Sequence, residues 1–140
     1  MKLSRRDALW VGLGGLATSA TLSNPAFAAT VEELTAAFTG GNAPAADGIT
    51  LTAPEIAENG NTVPISVDAP GAVAIMLLAA GNPEPAVATF TFGPAAGSQM
   101  AATRIRLSKT QDVIAMAKMA DGSIKQASAT VKVTIGGCGG

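Results

Sequence analysis

Ala127-Ser128-Ala129-Thr130-Val131-Lys132-Val133-Thr134-Ile135 alternates apolar and polar side chains without a break. Side chains two apart share one face of a strand, whereas a helix needs spacings of three and four. This stretch is therefore a β-strand, with Ala127, Ala129, Val131, Val133 and Ile135 on its inner face. Asp121-Gly122 lies just upstream and is a hairpin signal, which makes the run from Val113 to Met119 the partner strand.

The same reading extends back along the chain. Ile49 to Leu51, Val63 to Val67, Val87 to Phe92 and Thr103 to Leu107 are further short strands. Val73 to Leu78 is continuously apolar, which predicts a strand buried on both faces. Pro64 cannot donate to a ladder, so its strand belongs at an edge or carries a bulge there. Asn59-Gly60-Asn61, Ala69-Pro70-Gly71, Gly81-Asn82-Pro83 and Gly93-Pro94 punctuate the runs as turns. About seven short strands with turns at these intervals predict an all-β fold, an immunoglobulin-like antiparallel β-sandwich, with a small barrel as the alternative. One helix precedes the strands, from Thr30 to Phe38. Thr30 and Glu33 form a capping box, Val31, Leu34 and Phe38 share a face, and Gly40-Gly41 ends it.

The first 28 residues read as an address. Basic residues and the pair Arg5-Arg6 open the chain, a weakly apolar run follows to about Leu22, and Ala26-Phe27-Ala28 fits a small-residue cleavage site. Ser4-Arg5-Arg6 with Leu9 resembles the bacterial twin-arginine signal; an ordinary secretory signal is the other reading, and either one exports the protein to the periplasm. The expected organisation is an export signal over 1–28, a sandwich domain over 29–135 and an arm over 136–140.

Composition removes several classes of function. The 140 residues contain no histidine and one cysteine. Without histidine there is no Ser-His or Cys-His dyad and no imidazole metal ligand; with one cysteine there is no internal disulfide and no CxxC pair. Nine acidic and six basic residues follow residue 28, a net −3 with no basic patch, so nucleic acid is not an expected partner. Aromatics make up 4% of the chain and Trp10 lies in the signal. The core is left to Val, Ile, Leu, Met and Phe with Ala between them, and a domain of this size gains from a partner subunit. Met76, Met100, Met116 and Met119 are expected to fill the core.

The single cysteine sits in Gly136-Gly137-Cys138-Gly139-Gly140. Four glycines predict a thin, flexible arm unless it is bound, and at 3.3–3.6 Å per residue the Cα of Cys138 reaches roughly 10 Å beyond Ile135. An unperturbed thiol has a pKa of about 8.5, and no neighbour in sequence lowers it. Cys138 thus reads as an attachment point on which other proteins act, suited to cargo held by an S–S bond. Two other readings compete: a cysteine that only crosslinks a dimer, and a ubiquitin-like carrier that uses a terminal Gly139-Gly140 carboxylate. Glu55 and Glu58 read as solvated surface charges, and Arg104 and Arg106 as an exposed strand face or a receiver for an anion or an acidic partner.

The ending from Val131 to Gly140 resembles the C-terminal signature of the SoxY family, the sulfur-carrier subunit of the SoxYZ thiosulfate-oxidation complex. The segments Pro54 to Pro64, Gly81-Asn82-Pro83, Ala88-Thr89-Phe90 and Thr103 to Leu107 resemble it as well. The resemblance implies a heterodimer with a SoxZ-like subunit and thiosulfate-derived sulfur held covalently on Cys138. It also implies three partner enzymes: a haem c cytochrome (SoxAX-like), a manganese thiohydrolase (SoxB-like) and a molybdenum–haem dehydrogenase (SoxCD-like). Their metals belong to them, so no cofactor, metal or catalytic residue is expected in this chain.

Overall fold

The computed structural model describes residues 29–137. Thr30 caps the helix α1 (Val31–Thr39): its hydroxyl accepts from Glu33 N at 3.2 Å, while the Glu33 carboxylate accepts from Thr30 N at 2.8 Å. Gly40 ends the helix in the left-handed conformation, φ 62°.

Among the described residues nine strands follow: β1 (Pro44–Ala45), β2 (Thr50–Thr52), β3 (Ile56–Ala57), β4 (Val63–Asp68), β5 (Ala72–Ala79), β6 (Ala86–Thr91), β7 (Met100–Ile105), β8 (Gln111–Met119) and β9 (Ile124–Val133). The large sheet runs β1-β9-β8-β5-β6 with β3 on the far part of β9, and the small one runs β2-β4-β7. Both sheets are open, so the expected sandwich is what forms and the barrel is not.

Period-two alternation builds the core. Ile75, Leu77 and Ala79 of β5, Val113, Ala115 and Ala117 of β8 and Val131 of β9 face the small sheet, which contributes Val63, Ile65, Val67 and Ile105. The intervening residues Met76, Leu78 and Met116 face the other way and are covered by Val31, Leu34 and Phe38 of α1. This second layer explains the continuous apolar run: from Ile75 to Ala79 the strand is buried on both faces, while Val73 at its start is 40% exposed. Ala115 and Ala117 of β8 are fully buried in this core.

The structure differs from the sequence reading in four places. Strands β1 and β3 are each two residues long and pair in parallel with β9, where an antiparallel arrangement was expected. Two residues are too few for periodicity to register. The alternating strand ends at Val133, not Ile135: β8 begins opposite Val131, and the remaining partner β3 ends with Ala57 opposite Val133. Met100 is 55% exposed: it shares the outer face of β7 with Ala102 and Arg104. Pro64 lies on the middle strand of the small sheet, yet β2 stops opposite Ser66, so β4 is locally an edge at the proline.

Candidate functional site at the root of the C-terminal arm

Gly136 and Gly137 fall within the described residues; Cys138, Gly139, Gly140 and the export signal with Arg5 and Arg6 lie outside them. Past β9 the chain keeps its partner on the β3 side. Thr134 N donates to Ala57 O at 3.0 Å, and Gly60 N donates to Ile135 O at 2.8 Å. Leu107 then laces three segments together: its N–H donates to Gly60 O at 2.8 Å, and its carbonyl accepts from Gly137 N at 2.9 Å. The Leu107 side chain is fully buried in the core, so this junction is anchored to the sandwich.

Gly136 and Gly137, the first two residues of the expected flexible arm, pack against the end of the sandwich in this structure. They lie in a slot. A Cβ on Gly136 would collide with the carbonyl oxygen of Ser108, and one on Gly137 would come within 2.9 Å of Gly60 O. A Cβ on Gly60 would collide with Leu107 O and lie 2.8 Å from Gly137 N. None of these three has positive φ. The glycines are needed here for close approach of backbone to backbone, rather than for a left-handed turn.

The floor of the slot is the loop over residues 106–110, held from beneath by two buried amides. Asn82, in the β5–β6 turn, donates through Nδ2 to Arg106 O at 2.8 Å and accepts through Oδ1 from Ser108 N at 3.0 Å. Gln111 Nε2 donates to Asn82 Oδ1 at 2.8 Å and to Lys109 O at 3.0 Å, while its Oε1 accepts from Gly81 N at 2.8 Å. Asn82 is 9% and Gln111 7% exposed. Asparagine suits the position because one side chain must supply a donor to residue 106 and an acceptor to residue 108; aspartate lacks the donor and leucine both. The Ser108 hydroxyl, 3.1 Å from Asn82 Oδ1, completes the cluster.

Asn59-Gly60-Asn61, Gly81-Asn82, the 106–111 segment and Gly136-Gly137 thus converge at one end of the sandwich. Read along the sequence, the first two were turn punctuation, and nothing showed that they meet. Asn82, Ser108 and Gln111 were missed as site residues. A polar residue between Gly81 and Pro83 was the available signal, and it is the ordinary mark of a turn.

Of the other candidates, Arg106 joins this cluster through its backbone carbonyl alone. Glu55 and Glu58 flank β3 and are exposed. Arg104 and Arg106 are both exposed on either side of buried Ile105; Arg104 borders an open groove of about 560 Å3 with Pro64, Ser66 and Ala102. The carboxyls held below their usual range are on the surface. Asp47 is lowered mainly by a hydrogen bond from Lys125, and Asp121 by hydrogen bonds from Ser123 in the β8–β9 turn. Among the described residues no three acidic or cysteine side chains gather to hold a metal ion, and no helix is long and apolar enough to cross a membrane.

A family model for the sulfur oxidation protein SoxY matches residues 35–138, from the helix through the arm cysteine. The chain belongs to the SoxY family. It shares 33% identity with the sulfur carrier protein SoxY from Chlorobium limicola f thiosulfatophilum, covering 76% of this chain and 97% of that one with a TM-score of 0.66. Two more distant likenesses are of fold alone. A superoxide reductase (neelaredoxin) from Ignicoccus hospitalis has 18% identity, 61% and 79% coverage and a TM-score of 0.54. A putative superoxide reductase from Thermotoga maritima has 17% identity, 61% and 84% coverage and a TM-score of 0.51. A search of curated proteins gives no match. The SoxY assignment places the chain among sulfur carriers of sulfur oxidation, and the family match, over residues 35–138, includes the segments that seat the arm.

Proposed function

We propose that this SoxY-family chain is a periplasmic carrier, not itself an enzyme, that holds thiosulfate-derived sulfur covalently on Cys138 and presents it to partner enzymes. The observation that carries the reading is the family match running through Cys138, the one thiol in the chain. The seat of the arm supports it, because Cys138 directly follows a docked glycine at one end of the domain.

The chemistry divides between this chain and its partners. The Cys138 thiol and thiosulfate join as Cys–S–S–SO3−, giving up one proton and two electrons to a haem c cytochrome of SoxAX type. Water, activated by a manganese enzyme of SoxB type, then cleaves the S–SO3− bond. Sulfate leaves, Cys–S–S− stays on the arm, and two protons are released. A SoxCD-type dehydrogenase is the partner for oxidising the sulfur that remains. This chain supplies the attachment sulfur and the thin arm; the absence of any histidine is consistent with leaving acid–base and metal work to the partners. A SoxZ-like subunit is the expected heterodimer partner, and residues 1–28, with Arg5-Arg6, serve export.

Thiosulfate labelled in its sulfane sulfur tests the reading. In the presence of the partner enzymes, label is expected on the chain at up to one equivalent, and a thiol reductant should release it. Label that resists the reductant would point to a terminal thiocarboxylate, and no label would leave a thiol that only crosslinks chains.

A further inference from the structure

Resting on the reading of Cys138 as the carrying residue, we propose that Asn82 is a positioning residue for the arm: it holds the 106–110 loop as a seat into which Gly136 and Gly137 dock, so that Cys138 is presented from a fixed point.

Three observations converge on this. The seat is made of backbone, with Leu107 O accepting from Gly137 N and Ser108 O lying against the Cα of Gly136. That backbone is set from below by one buried side chain, since Asn82 grips the carbonyl of Arg106 and the N–H of Ser108, the residues on either side of Leu107. Gln111 in turn fixes Asn82 and the carbonyl of Lys109. The amide pair satisfies the loop's own backbone groups, and in doing so fixes the carbonyls against which the arm packs.

Docking shortens the reach of the carrier. From a seated Gly137 the Cα of Cys138 lies about 3.8 Å further along the chain, against roughly 10 Å from Ile135 when the glycines are released. One backbone hydrogen bond holds Gly137, so the arm root opens locally without unfolding the sandwich. The chain has two presentations, close-held and extended, and Asn82 sets the balance between them.

Amide hydrogen exchange at Gly137, read by NMR on the folded protein without partners or cargo, tests this separately from sulfur loading. Wild-type Gly137 is expected to exchange at least about tenfold more slowly than the free-chain rate. Gly136→Ala, which cannot enter the slot, should bring it to within about twofold of that rate. Asn82→Ala should also speed it, while the amide of Leu77, in the core of β5, keeps its wild-type rate in both variants. General loosening of the fold would instead speed Leu77 together with Gly137. Free-chain exchange in the wild type, an unaffected Gly137 in Asn82→Ala, or Leu77 sped in parallel with Gly137 would each overturn the proposal. If Asn82→Ala does not fold, Gln111→Met, which removes the hydrogen bonds with Asn82, Lys109 and Gly81, takes its place under the same criteria. Failure of the labelling experiment would remove the carrier role while leaving this docking result standing.

Discussion

Replacing Cys138 with serine is expected to abolish thiosulfate-dependent turnover in the reconstituted system, down to the rate without the protein. A serine hydroxyl cannot form an S–S bond, and the chain holds no second thiol to substitute. The substitution lies beyond the last residue of the core lacing, so stability should stay within about 0.5 kcal/mol of the parent. The competing role, a thiol that only locks two chains together, makes a different forecast. There Cys138→Ser removes the crosslinked species on a non-reducing gel and leaves turnover intact. Measuring both on one preparation separates the two roles.

The second large effect belongs to a residue with no side chain. Gly60→Ala places a methyl against Leu107 O, 2.8 Å from Gly137 N and 2.9 Å from Val133 Cγ1. Two of these contacts are backbone. Leu107 is pinned by its fully buried side chain and Gly137 by its own hydrogen bond, so neither can turn aside as a flexible side chain would. Overpacking of this kind costs about 1–3 kcal/mol. In a domain of this size that lowers the melting temperature by roughly 4–8 °C per kcal/mol. The hydrogen bonds from Gly60 N to Ile135 O and from Leu107 N to Gly60 O are both strained by the same shift, so the arm root should loosen together with the fold. Gly97→Ala, where a Cβ meets nothing within 4 Å, is the control and should leave the melting temperature unchanged. Equal effects at the two positions would contradict the close-approach account.

Much of the fold was legible because strand periodicity is a local signal. Alternation in β9 named its inner face correctly as far as Val133, and the unbroken apolar run in β5 announced a covering layer that proved to be α1. The capping box at Thr30 and Glu33 and the Asp121-Gly122 turn were readable for the same reason: each is settled within four residues. What escaped was decided by contacts distant in sequence. The two-residue strands β1 and β3 exist only because β9 offers them a parallel partner, and Ile135 leaves the strand because β3 ends opposite Val133. Met100 looked like core by type, but its parity on β7 sends it outward.

The site divides in the same way. Cys138 and its glycines stand out in the sequence through sheer oddity of composition. That Gly136 and Gly137 are seated was hidden, since glycine in a tail reads as freedom when its neighbours in space are unknown. Asn82 and Gln111 are 29 residues apart and meet only in the folded chain. The resemblance had marked Gly81-Asn82-Pro83 and Pro54 to Pro64 without a reason; their convergence on the arm root supplies one.

The central claim is that sulfur travels on Cys138. The measurement that tests it most directly is an intact mass spectrum, taken without reductant, of the mature protein from cells oxidising thiosulfate, followed by fragmentation of its C-terminal peptide. The account predicts sulfane or thiosulfonate mass increments that localise to Cys138, disappear on reduction and are absent from cells given no thiosulfate. A bare thiol, or a disulfide dimer alone, under both conditions would contradict it.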